Sequence, residues 1–225
     1  MVYGYDNVEI FSPTVDAEEK RKRMHVVRHI NPDQANVICR IFDLSASGFG
    51  LSRIAKTLNH DGIPPPRQKW YGWAPSCIRE MLYRPLYRGE IVWNKTTKRH
   101  RGGTKQQRQR PESEWISLPA PELRIIPQAL WEKVHGRLKD AHQRSMRGTI
   151  TGHLLGRASR QDRDSPYLLS GVDRCTLCEG PLFALTRGHG KKRARFYGCS
   201  YHHKRGSAVC TNAVQLKQEL LIRRC

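Results

Sequence analysis

The side chains with the most specific chemistry in this sequence are cysteines. Cys175-Thr176-Leu177-Cys178 is a CxxC knuckle, followed after twenty residues by Cys199 and after ten more by Cys210. Zinc is held by four donors at the corners of a tetrahedron, and a CxxC turn delivers two sulfurs to one ion. A second pair from a distant hairpin closes the site. With no open coordination position it is structural rather than catalytic. His202 and His203 lie between the last two cysteines, so a Cys3His set stays open beside the four-cysteine set. A redox CxxC has no use for the downstream pair, and disulfides need an oxidising compartment. The opening Met1-Val2-Tyr3-Gly4-Tyr5-Asp6 lacks the basic-then-apolar layout of a secretory signal. An HNH-type nuclease centre fails because no histidine follows His203. Cys39 and Cys77 read as small buried hydrophobes or incidental thiols. The expected cofactor is structural zinc on Cys175, Cys178, Cys199 and Cys210.

The second chemical feature is charge. Lys and Arg number 40 against 20 Asp and Glu in 225 residues, a formal net charge of +20. Solubility needs a magnitude of only about 2–8 for a small domain. The excess repels itself unless a polyanion relieves it, and nucleic acid is the commonest such partner. Apolar runs fall far short of the roughly 20 residues of a membrane span, so no membrane partner and a cytoplasmic location are expected. Nothing points to a small-molecule substrate. No serine stands beside a recognisable base and phosphate clamp, so no catalytic residue is assigned.

Elements must position these groups. Asn31-Pro32 opens a helix, Asn31 as N-cap and Pro32 at the first position, with Val37, Ile38, Ile41, Phe42 and Leu44 as its apolar stripe. A second helix runs from about Gly50 to His60 on Leu51, Ile54, Ala55 and Leu58. Ile63 to Trp73, with three consecutive prolines, is an extended connector. A third helix starts at Ala74-Pro75-Ser76, turns Ile78, Met81 and Leu82 inward, and stops before Pro85. Ser76, Arg79 and Glu80 then face away from the core. Three short helices of this kind suit a helix-turn-helix reader of DNA, although a solvated helix face is the competing reading.

Tyr87–Lys95 alternates as a strand. The basic, Gly-containing stretch after it reads as a flexible linker, and short strands are expected over 114–117 and 123–126. A fourth helix begins at Pro127. Tyr167–Val172, Leu182–Thr186 and Arg195–Gly198 are the expected strands of a zinc ribbon, and a further helix begins at Leu216. The fold class is α+β: a mainly helical DNA-binding domain with a small sheet, then a zinc beta-ribbon.

In this order the pieces resemble the large serine recombinases of phage integrase and transposon resolvase type. Tyr3-Gly4-Tyr5 is similar to the opening of that family's recombinase domain. Arg40-Ile41-Phe42-Asp43-Leu44, with Gly48 and Gly50-Leu51-Ser52-Arg53-Ile54-Ala55-Lys56-Thr57-Leu58-Asn59, is similar to the run that follows. Gly62-Ile63-Pro64-Pro65-Pro66 and Ile78 to Gly89 resemble two further stretches. Tyr167-Leu168-Leu169-Ser170-Gly171 before the knuckle resembles the entry to the family's zinc ribbon, and Cys199 and Cys210 match its closing pair. Glu179 stands where the family often has glycine, with Gly180 next to it.

The resemblance implies a recombinase domain over 1–110, a strand, helix and basic linker over 111–164, and a zinc ribbon over 165–225. The family's serine nucleophile lies in a Tyr-x-Arg-x-Ser motif that does not precede Tyr3. The expectation is therefore the DNA-binding portion of a site-specific recombinase that binds duplex attachment or resolution sites. Full-length relatives form dimers and tetramers, and this portion is expected to be monomeric. Arg79 is the expected base-edge contact beside Ser76, with Arg67, Lys69 and Lys95 on the backbone. Arg99 and Arg101 would follow the adjacent minor groove. Arg187, Lys191, Lys192, Arg193, Lys204 and Arg205 of the ribbon would face phosphate. Two alternatives stay open: a stand-alone zinc-ribbon regulator or decoy, and an RNA binder stacking bases on exposed Trp70, Tyr71 and Trp73.

Overall fold

Helix α1 (Pro32–Ala46) begins where its capping residues dictate: Asn31 Oδ1 accepts the Gln34 N–H at 3.0 Å, and Pro32 occupies the first turn. Ile38, Ile41, Phe42 and Ser45 form its buried side at helical spacing. The computed structural model to which it belongs describes residues 2–15, 21–66, 71–101, 104–147, 173–189 and 192–222. The fold is α+β, with helices alternating with small antiparallel sheets. The chain divides into two units, one of Met1–Ser47 and Glu80–Gly136, the other of Gly48–Arg79 and Arg137–Cys225.

In the first unit, β1 (Tyr5–Val15) and β2 (Arg21–Ile30) form an antiparallel ribbon that precedes α1. Tyr5 anchors it. Its ring is fully buried and stacks on Tyr87 at 6.0 Å, and its hydroxyl lies 2.7 Å from Leu123 O and 3.1 Å from Leu86 O. Gly4 has φ +96°, and a Cβ there would meet Ile38 Cδ1 at 2.4 Å, so the turn into the ribbon needs glycine twice over. A 3-10 turn over Pro85–Arg88 leads to β3 (Glu90–Trp93), which pairs with β6 (Ile116–Pro119). Between these lies a hairpin of β4 (Thr96–Arg101) and β5 (Thr104–Gln109). Helix α4 (Gln128–Arg147) closes this core with Trp131, which stacks on Phe42 at 5.7 Å, and with Val134.

In the second unit, α2 (Leu51–His60) buries Ile54, Ala55 and Leu58, and α3 (Pro75–Leu82) contributes Ile78. Trp73 is fully buried and donates its indole N–H to Ile63 O at 2.8 Å. The remainder is a three-stranded sheet in which β7 (Leu182–His189) and β9 (Gln215–Lys217) flank β8 (Lys192–Cys199). Helix α5 (Ser200–Arg205) follows β8 and packs on α2, and α6 (Gln218–Ile222) follows β9. Asn59 of α2 locks this packing. Its Oδ1 accepts the Trp73 N–H at 2.6 Å, while its Nδ2 lies 3.1 Å from Trp73 O and 2.9 Å from Arg205 O.

Several expectations need correction. The presumed linker after Lys95 is the β4–β5 hairpin, because Gly102-Gly103 between two six-residue arms is a two-residue turn signal. Residues 123–126 are not a strand. A 3-10 turn over Pro121–Leu123 precedes them, and the N–H groups of Ile125 and Ile126 both reach Tyr87 O. The strand expected over Tyr87–Lys95 is shortened to β3 by the 3-10 turn that Pro85 initiates. Leu216 lies in β9, and the tail helix starts only at Gln218. Tyr167–Val172 lies outside the described residues. Among the described residues no helix is long and apolar enough to cross a membrane.

Candidate metal centre and nucleic-acid interface

The knuckle is a tight turn at the mouth of β7. Cys175 N donates to Gly180 O and Glu179 N to Cys175 O, both at 2.8 Å, and Arg174 and Pro181 bridge its base. Glu179 sits at φ +51°, the left-handed region that disfavours a side chain with a Cβ. Gly180 serves a different end: a Cβ there would lie 2.7 Å from the Tyr201 ring. Cys199 ends β8 and caps α5, its sulfur accepting the His202 N–H at 3.5 Å. Cys210 follows the turn that leaves α5.

The four sulfurs lie within 4.8 Å of one another, and all four cysteines are buried. Individual separations are 3.9 Å for Cys175–Cys210, 3.4 Å for Cys178–Cys199 and 3.6 Å for Cys199–Cys210. A tetrahedron of sulfurs about 2.3 Å from zinc has edges of about 3.8 Å, so the set fits the ion. The spacings are far too long for S–S bonds of about 2.05 Å. Outer contacts fit as well. Asn212 Nδ2 donates to Cys175 Sγ at 3.2 Å and Asn212 N to Cys210 Sγ at 3.4 Å, as expected of groups supporting thiolates.

Without a cation the thiols divide. Burial works to raise Cys175, but hydrogen bonds from Asn212 and the knuckle backbone overcome it and bring the thiol down to about 6. Burial pushes Cys178 and Cys210 up. A dication ionises all four together and removes that conflict. The histidines are not in the set. His202 Nδ1 shares a hydrogen bond with Cys210 O at 2.6 Å, and the His203 ring stacks on Phe183 at 4.8 Å. The Cys3His alternative therefore falls, and the zinc is structural.

The cationic residues are distributed over folded elements. Ser76 and Arg79 are exposed on α3 beside buried Ile78. Lys95 is half-buried, its Nζ 4.6 Å above the Trp115 ring. Arg99 and Arg101 lie on β4, and Lys192 and Arg193 on β8. Arg187 of β7 and Lys204 of α5 are exposed. Arg67, Lys69 and Lys191 lie outside the described residues. Arg205 is half-buried and makes internal contacts. It donates to Tyr71 O at 2.7 Å, and its guanidinium lies 4.0 Å over Tyr201 and 4.9 Å over Tyr71, so it fastens α5 to the connector.

The aromatic stacking set is also corrected, since Trp73 is core and Tyr71 packs against Tyr201 and Arg205. Trp70 lies outside the described residues. Asn59 was not legible as a functional residue, because its partner Arg205 is 146 positions away.

Comparison with known proteins agrees with this arrangement. The Recombinase family model matches residues 32–141, and the recombinase zinc beta ribbon domain matches 168–223. No curated protein matches the chain in sequence. Two solved structures are similar to it, described as "Crystal Structure of a LSR-DNA Complex" and "Sequence Requirements of the Listeria innocua prophage attP site". Each shows 15% identity and a TM-score of 0.39 over 99% of this chain, and neither likeness fixes what this chain binds. The chain spans 56% of the first of those proteins and 75% of the second. With a recombinase domain followed by a recombinase zinc beta ribbon, which together match most of its length, the chain belongs to the recombinase family that these two models describe.

Proposed function

We propose that this chain binds duplex DNA as the recognition portion of a site-specific serine recombinase, at attachment or resolution sites for integration and excision. The observation that carries the reading is α3. Its apolar residues Ile78, Met81 and Leu82 are buried while Ser76 and Arg79 stand exposed on the same helix. A short helix with that division can lie in a major groove, and Arg pairs bidentately with guanine.

Phosphate neutralisation falls to Lys95, Arg187, Lys192, Arg193 and Lys204, with Arg67, Lys69 and Lys191 as further candidates from sequence. Zinc and its four thiolates form a rigid knot of net charge −2 that fixes β7, β8 and α5 and so holds the ribbon's cations Arg187, Lys192, Arg193 and Lys204 in place. Arg205 acts indirectly, as a brace between α5 and Tyr71.

Competition is the direct test. Zinc-loaded chain is offered fluorescent duplex DNA against single-stranded RNA of equal length. Duplex is expected to win, and Arg79→Ala should erode discrimination among duplex sequences more than total binding. Preference for the RNA would overturn the reading.

A further inference from the structure

Helix α2 and the zinc ribbon meet along an edge lined by cations. The helix buries Ile54, Ala55 and Leu58, which leaves Lys56 exposed on its outer side. The turn that leaves α5 lies against this lysine, since a Cβ on Gly206 would sit 3.3 Å from Lys56 Cγ. The bond from Asn59 Nδ2 to Arg205 O at 2.9 Å fixes the same approach of α2 to α5. On α5, His203 and Lys204 are both exposed. Phe183 of β7 carries them, with the His203 ring 4.8 Å away and the Lys204 ammonium 5.5 Å above. Arg187, also exposed, lies four residues along β7 from Phe183 and so projects from the same face.

These groups act on one another. Burial, and then the positive charges of Lys56, Lys204, His202 and Arg187, hold the His203 imidazole below its ordinary 6.5. At neutral pH the ring is therefore uncharged and donates a single N–H. Among the described residues no carboxylate pairs with Lys56, Arg187 or Lys204. Two ammoniums, a guanidinium and a neutral donor thus gather on three elements, and their mutual repulsion is relieved only by an anion. Lys acts on such a partner as a point charge, and Arg as a fork matched to phosphate oxygens. The stretch from Phe183 to Arg187 is about 13 Å of strand, more than one phosphate covers. A backbone carrying successive phosphates fits that spread better than an isolated ion.

We infer that Lys56, Arg187, His203 and Lys204 form one seat for successive phosphates of a DNA strand, so that α2 and the zinc ribbon grip the same stretch of backbone. The inference rests on the duplex-binding reading, and it adds Lys56 and His203 to the residues that reading uses.

The test begins with the full zinc-loaded chain selecting a preferred duplex from a random pool. Single phosphates of that duplex are then replaced, one position at a time, by uncharged methylphosphonate, and the positions that weaken binding mark the contacts. Lys56→Gln and Lys204→Gln should each erase the effect within one shared run of adjacent positions. Each should also lower the salt slope by about 1, so that about three- to four-fold less affinity is lost between 50 and 200 mM salt. Lys56→Arg should restore both properties. His203→Phe keeps a ring on Phe183 and removes the donor, so it should weaken binding about two- to ten-fold with the salt slope unchanged. Zinc content should stay at the wild-type level in every variant, which separates loss of contact from loss of fold. An unchanged salt slope in Lys56→Gln, or an effect on a run remote from that of Lys204→Gln, overturns the shared seat while duplex binding stands. Failure of the wild-type chain to hold any duplex overturns the underlying reading instead.

Discussion

The first unit and the zinc ribbon bury different things. In the first, Tyr5, Ile38, Ile41, Phe42, Leu82, Tyr87, Ile126 and Val134 are wholly inaccessible, and aromatic rings stack at its centre. In the ribbon the buried cluster is four cysteines, with Leu182 and Tyr201 partly buried against them. An apolar core is stabilised by area removed from water and needs nothing else. A cluster of thiols is stabilised only when a cation joins it. The difference teaches that one chain holds two kinds of stability, separable by removing metal.

The largest expected effect is therefore chelation. Structural zinc contributes about 10–16 kcal/mol in small domains, so stripping it should unfold 173–222 while the first unit keeps its tertiary signal. Amide NMR with and without a chelator checks this. Changing any one of Cys175, Cys178, Cys199 and Cys210 to Ser should act likewise, and full zinc occupancy afterwards would remove that residue from the ligand set.

The converse change is Trp131→Ala. It removes the ring that stacks on Phe42 and His135 and should cost about 3–5 kcal/mol in urea unfolding of the first unit. Zinc content should be unaffected.

A smaller effect separates the two by pH. Burial in the first unit, opposed by a hydrogen bond to Trp131 O and assisted by Arg88, holds His135 below its ordinary 6.5. The folded state thus favours neutral imidazole, and the unfolded chain binds the proton more readily. Stability from this group is complete above about 6.5 and is lost as pH falls through the lowered value. Thermal melts of the first unit should show that loss, and His135→Gln should flatten it.

The smallest concerns the knuckle. Glu179→Gly relieves the left-handed strain at φ +51°, partly offset by a more flexible unfolded chain, for a gain of about 1 kcal/mol in the zinc-loaded melt.

Legibility in the sequence followed the physics of each element. Helices α1 to α3 announced themselves because their apolar positions recur at helical spacing between capping residues such as Asn31 and breakers such as Pro85. The metal site was legible because thiol spacing is rarely accidental. The β4–β5 hairpin was not, since a strand without apolar residues has no period for a hydrophobic pattern to show; only Gly102-Gly103 marked it. The β1–β2 ribbon was missed for a related reason, as Val8 and Ile10 alternate but are interrupted by Phe11 at a register shift. The internal partner of Arg205, Tyr71 O, lies 134 residues away, so charge was visible in the sequence and that contact was not.

The central claim is that a zinc-braced cationic surface holds duplex DNA, and salt tests it most directly. Equilibrium binding of the zinc-loaded chain to duplex is measured from 50 to 200 mM salt. Neutralising 6–10 phosphates predicts an affinity loss of about 10³–10⁵-fold across that range. A nearly flat response would contradict the account.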